Sequence, residues 1–197
     1  MGELTGQTIY FNKMGRANTM RTLALAKTRA AALGLKTVLV ASTNGETGAL
    51  AAEQFSGFNV VAVSHSAGFS KPNEQELTSE HRARIEAAGA VVLTCQHALG
   101  GVNRAIRKKL DTFMTDEIIA HTLRIFGEGM KVVCEIALMA ADSGLVRTDE
   151  PVMVIAGTGR GADTAVVLQP ANAQQFFDLK IIEIICLPSP HHPLVGS

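Results

Sequence analysis

Six short runs of apolar, largely β-branched residues set the strongest constraint on this chain: 37–41, 60–64, 90–94, 151–156, 165–168 and 180–186. Most are separated by stretches of helical character, and each is close to continuously apolar rather than alternating. A strand of that kind has no face to give to water, so both sides of its sheet must be covered. Strands that alternate with helices satisfy this by running parallel, with helices packed above and below. The pattern predicts an α/β fold of three layers, α/β/α. Helices are expected over 20–33, closed by Gly34 at the C-terminal position, and over 49–55, 79–88, 101–110, 115–126 and 131–141, with a short one at 173–177. An apolar patch at Ile9-Tyr10-Phe11 precedes them. The 197 residues suffice for one domain, 1–197, and no linker, repeat or low-complexity stretch divides them.

Composition excludes some classes of function. Lys and Arg total 18 and Asp and Glu total 18, a net charge of zero that gives no broad surface for nucleic acid. The one basic cluster, Arg104, Arg107, Lys108 and Lys109, falls in an expected helix and reads as a solvated face. No apolar run is long enough to span a membrane, and no basic segment followed by an apolar one marks a signal peptide. Cys95, Cys134 and Cys186 lie in apolar surroundings without metal-type spacing, which fits reduced, buried thiols in a cytoplasmic protein. Charged residues make up only 18% and there are 18 glycines, so extra buried surface in a homo-oligomer is expected.

Open α/β sheets bind ligands beyond the carboxyl ends of their parallel strands. That rule selects four loops. The first follows Val40 and carries Ser42, Thr43, Asn44, Gly45, Glu46 and Thr47 before a helix. Amide N–H groups at a helix start lack intrahelical partners and sit at the positive end of the dipole, so they attract a phosphate. Gly45 allows a close turn and the hydroxyls add donors. A capped βα turn needs the same residues, and the stretch alone leaves both readings open.

The second loop, too long for a plain connection, holds His65, Ser66, Gly68 and Phe69. The third holds Cys95, Gln96, His97, Gly100 and Gly101. The fourth is Gly157-Thr158-Gly159-Arg160-Gly161-Ala162-Asp163-Thr164, selected if its strand runs with the others. Its alternating glycines are not a dinucleotide fingerprint, because they lead into a strand and not a helix. Arg160 there is either a bidentate partner for phosphate or carboxylate, or a solvent-exposed arginine on a hairpin. No set of three or four residues converges as metal ligands, and His191-His192 read as exposed.

Glu135 is the single charge inside an apolar helical run, and burying it demands a cation or several donors. Asp142 lies seven residues on, on the same face and at the unfavourable C-terminal end. The two mark either the wall of a site or an internal salt bridge, to Arg160 or Arg124.

Four segments in order, 41–47 (ASTNGET), 126–132 (FGEGMKV), 139–144 (MAADSG) and 160–165 (RGADTA), resemble stand-alone archaeal and bacterial proteins related to the C-terminal domain of pyruvate kinase. The resemblance covers nearly the whole chain. It implies a mixed, mostly parallel sheet of five strands with one antiparallel, and a Ser/Thr-Gly loop that holds phosphate, mapped onto Ser42, Thr43, Asn44, Gly45 and Thr47. It lacks the catalytic barrel of pyruvate kinase, so phosphotransfer from phosphoenolpyruvate is not implied. Among the stand-alone relatives, flavin mononucleotide (FMN) is the implied occupant of the cleft. His65, Gly68, Phe69, His97, Glu135, Asp142, Ser143, Gly159, Arg160, Gly161, Asp163 and Thr164 would line the rest of it, with Glu135, Asp142 and His97 as the candidates for chemistry. A sugar-phosphate sensor without chemistry, or an enzyme of phosphosugar metabolism, are the other readings.

Overall fold

The computed structural model describes residues 2–191; His192 lies outside them. Seven strands form one sheet: β1 Ile9–Phe11, β2 Thr37–Ala41, β3 Asn59–Ser64, β4 Val91–Thr94, β5 Val152–Ala156, β6 Thr164–Gln169 and β7 Lys180–Pro188, in the order β1-β7-β6-β5-β2-β3-β4. Six helices cover it: α1 Thr19–Ala32, α2 Glu46–Gln54, α3 Ser79–Ala87, α4 Val102–Leu110, α5 Thr115–Leu123 and α6 Glu128–Asp142. Short 3₁₀ turns occupy Arg16–Asn18, Arg124–Phe126 and Ala173–Asp178.

The α/β/α class and the single antiparallel strand are as expected. β6 runs against both its neighbours, and every other pairing is parallel. The strand count is not: seven replace five. The Ile9-Tyr10-Phe11 patch becomes the edge strand β1, paired with Cys186-Leu187-Pro188 of β7. Three residues are too few for periodicity to signal a strand; the partner 177 positions away supplies the hydrogen bonds that make one.

Period-two alternation sends each strand's residues to two cores. Val38, Val40, Val60, Ala62, Met153 and Ile155 face one side, packed with Leu23, Ala26 and Ala30 of α1 and with Ala49, Ala51 and Ala52 of α2. Leu39, Val61, Val63, Val152, Val154 and Ala156 face the other, against Met130, Val133, Cys134, Ala137 and Ala140 of α6. α1 buries Thr19, Thr22, Leu23, Ala26 and Ala30, one stripe at helical spacing, and stops at Leu33 with Gly34 at φ 64°. α6 is buried almost all round because α5 covers its outer side through Ala120 against Leu138. α4 differs from all of these: none of its residues is buried.

The sheet also places the cleft. β2 leads through α2 to β3 on one side, whereas the chain returns through α4, α5 and α6 to β5 on the other side of β2. The loop after β2 leads into α2 and the loop after β5 turns back into β6, at adjacent strand ends with Val40 opposite Ile155. A crevice lies between these loops at the carboxyl edge.

Candidate functional site

The crevice is a cleft of about 330 Å³. From the expected residues it gathers Ser42, Thr43, Asn44, Glu46, Thr47, His65, Phe69, His97, Glu135, Gly159, Arg160 and Gly161. It adds Arg104, Arg124, Glu128 and Lys131, none of which the sequence reading assigned to the site.

The 42–47 turn is held before any ligand arrives. Ser42 Oγ accepts from the Gly48 N–H at 2.9 Å, and Asn44 Oδ1 from the Glu46 N–H at 3.3 Å. Those two side chains are caps of α2, so the capping reading is correct for them. The Asn44 carbonyl accepts in turn from the Thr78 N–H at 3.2 Å and sits 2.9 Å from His81 Nδ1, which ties the turn to the start of α3. Gly45 adopts φ 99°, and a side chain there would drive into His81 and Leu77. A bulkier residue at 45 would displace the turn itself, so the role of Gly45 is to shape the loop from behind the cleft.

Opposite the turn stands an aromatic wall. His65 and Phe69 have ring centroids 4.0 Å apart, and Phe69 and His97 stack at 4.9 Å with 24° between planes. The Arg104 guanidinium lies 4.8 Å from the Phe69 centroid. The basic cluster is thus not a uniform solvated face: Arg104 enters the cleft and Arg107 pairs with Glu117 at 2.6 Å. Lys108 and Lys109 are exposed, as expected. Glu76 lies 2.7 Å from His65 Nδ1, but burial dominates and pulls the His65 pKa below its ordinary value.

Glu135 has a different partner from the two arginines considered for it. Lys131, one helical turn earlier on α6, pairs with its Oε2; the Leu99 N–H donates to Oε1 at 3.0 Å, and His97 Nδ1 stands 3.6 Å away. The Ser66 N–H donates to His97 Nε2 at 3.4 Å, leaving Nδ1 as the protonated nitrogen that faces the carboxylate. Burial pushes the Glu135 carboxyl up, but His97 and Lys131 together outweigh it and bring it down to about 2. The Lys131–Glu135 spacing of four was visible in the sequence as a helix pair; what was not visible is that both ends are buried.

Six expected residues lie elsewhere. Gly45 backs the turn. Gly68 opens onto a separate hollow of about 270 Å³ with Lys108 and Ala105. Asp142 is exposed, and its Oδ1 accepts from Asn172 Nδ2 and the Ala173 N–H, both at 3.0 Å; it caps the Ala173–Asp178 turn. Ser143 hydrogen-bonds the Cys95 thiol, whose pKa burial raises. Asp163 is fully buried, and its Oδ2 accepts from the Gly15 N–H at 2.7 Å and the Thr158 N–H at 3.2 Å. Thr164 Oγ donates to Asp163 Oδ1 at 2.9 Å. These last two brace the 157–161 loop and the chain ahead of α1. Cys95, expected to be buried, is half-buried, while Cys134 and Cys186 are buried; all three are free thiols.

The match to known proteins follows this geometry. Residues 20–168 fit the family model described as the pyruvate kinase alpha/beta domain. The chain belongs to that family. The matched span of the pyruvate kinase alpha/beta domain holds β2 to β5 and all but the last residue of β6, five strands, and β1 and β7 lie outside it. Solved structures with some similarity include a pyruvate kinase from Cryptosporidium parvum, at 12% identity and TM-score 0.38, covering 76% of this chain and 23% of that one. A Cryptosporidium parvum pyruvate kinase in complex with ADP matches at 13% and 0.34, covering 82% and 23%. An O-ureido-L-serine synthase mutant matches at 19% and 0.29, covering 73% and 50%. The chain spans about a quarter of the pyruvate kinases it resembles, and at these TM-scores the family match alone carries the assignment.

Proposed function

We propose that this member of the pyruvate kinase alpha/beta domain family binds a phosphorylated small molecule in the cleft between the β2 and β5 loops, and that FMN is the ligand. One observation carries the reading: a pre-ordered helix N-terminus and two arginines converge on one crevice. Arg104 and Arg160 form no ion pair among the described residues, so each is available to an anion. Thr43 and Thr47 line the same crevice with hydroxyls, and the amides at the start of α2 supply the positive end of its dipole. The clustered rings of His65, Phe69 and His97, the last two stacked on each other, offer an aromatic wall for an isoalloxazine. A cytoplasmic location is part of the same proposal, supported by three unpaired thiols.

Quenching of flavin fluorescence on titration tests it, with riboflavin as the ligand that lacks phosphate. FMN is expected to bind at least tenfold more tightly than riboflavin, and Thr47→Ala with Arg160→Ala to erase that difference while circular dichroism stays native. Equal affinity for the two flavins, or a difference that survives both substitutions, overturns the phosphate site. No flavin binding beside saturable binding of a sugar phosphate replaces FMN with the phosphosugar.

A further inference from the structure

Among the described residues, Lys131 is the only lysine or arginine that is buried. Its side chain is 5% exposed, yet it forms part of the cleft wall. Nothing in the flavin reading uses it, and stability does not explain it. A buried ion pair generally stabilises a fold no better than apolar residues of the same volume, and α6 is otherwise apolar at its buried positions from Val133 to Ala141 apart from Glu135. A phosphate contact does not require it either, since the half-buried Arg104 and the exposed Arg160 already offer cations in the cleft.

The surroundings of Lys131 are those of a lysine nucleophile. Glu135 pairs with its Nζ and is itself fixed by the Leu99 N–H and by His97. Arg124 and Glu128, paired with each other at 2.5 Å, are the remaining charges that act on it. Burial lowers the Lys131 pKa, against the pull of Glu135, so more of the neutral amine is present than at a surface lysine. A neutral ε-amine in a cleft adds to carbonyl carbon. The turn before α2 and the rings of His65, Phe69 and His97 line the same cleft.

We propose that Lys131 condenses with the carbonyl carbon of a phosphorylated aldehyde or ketone held in the cleft, forming an imine. The inference rests on the phosphate site proposed above. The ammonium first releases one proton to solvent. The neutral amine then forms the C–N bond; the carbonyl C–O bond breaks, and the oxygen leaves as water with the two remaining amine protons. Nothing is oxidised or reduced. The imine nitrogen takes up a proton, and Glu135 takes the place it now holds beside the ammonium, as counter-ion to the imminium.

Pyridoxal 5′-phosphate and pyridoxal serve as paired probes, a flat aldehyde with and without phosphate. Each is incubated with the intact protein, trapped with borohydride, and located by peptide mass spectrometry. A single reduced adduct at Lys131 is expected, formed at least tenfold faster with the phosphorylated aldehyde. Lys131→Arg, which keeps the charge, is expected to lose the adduct while circular dichroism stays native. Adducts confined to exposed lysines overturn the imine and leave the flavin titration to decide the phosphate site. Equal labelling of Lys131 by both aldehydes supports the nucleophile and overturns the phosphate site.

Discussion

Two groups in the cleft wall, the half-buried His65 and the buried Glu135, make its stability depend on acid. His65 has its pKa lowered below the ordinary 6.5, so the unfolded chain binds its proton first as pH falls, and stability is lost below 6.5. Glu135, held at about 2 against an ordinary 4.5, contributes stability that is complete above 4.5 and lost as pH falls toward 2. Both act in one direction, so urea midpoints are expected to fall in two stages on acidification. Glu135→Gln is expected to shrink the lower stage, to which Glu76 also contributes, and to leave the upper one; a lower stage unchanged in the variant refutes the assignment. The sequence made Glu135 conspicuous, because one carboxylate in an apolar helix needs a partner. It did not name the partner, since Arg124, Arg160 and Lys131 are all cations and only tertiary burial separates the paired lysine from the rest. Asp142 shows the converse. Its spacing from Glu135 suggested a shared face, but two helical turns carried it past the cleft to the far end, where it caps the 173–178 turn instead.

At the level of elements, α4 and α6 stand at opposite extremes. α6 buries twelve residues, from Gly129 to Ala141 with only Val132 left partly open, whereas α4 buries none and exposes Val102 at 65% and Leu110 at 66%. Local opening follows buried apolar contact, so amides of α4 are expected to exchange with deuterium orders of magnitude faster than those of α6, which should open only with the whole molecule. Because Arg104 reaches from α4 over Phe69 into the cleft, a bound anion is expected to slow exchange in α4 and leave α6 unchanged. Mass-resolved exchange with and without FMN measures both, and an α4 as protected as α6 refutes the first. Both helices were legible in the sequence, within a few residues of their bounds. Their difference was not. The basic residues of α4 looked like any solvated face, and which of them turns inward depends on where the 65–77 loop puts Phe69.

For the molecule as a whole, the exposed side chains bear on assembly. Ile125 is 80% and Phe177 84% exposed, with Phe126 and Ile182 each at 57%. With zero net charge there is little repulsion to keep copies apart, and a homo-oligomer is the expected state in solution. Sedimentation equilibrium is expected to give at least twice the 20.8 kDa of one chain; a monomer at micromolar concentration refutes it. The layered architecture was legible before any coordinates. A continuously apolar strand has no solvated face, and that local fact forces parallel strands with helices on both sides. The end of the sheet that carries the cleft was legible for the same reason, as was the 42–47 turn. Tertiary structure alone decided the rest: that Ile9–Phe11 joins as an edge strand, that Asp163 ties its loop to Gly15, and that Lys131 stands buried in the cleft wall. Each of these depends on residues far along the chain. Periodicity records how a segment buries itself against something, but the pairing of distant residues is set only when all the layers pack at once.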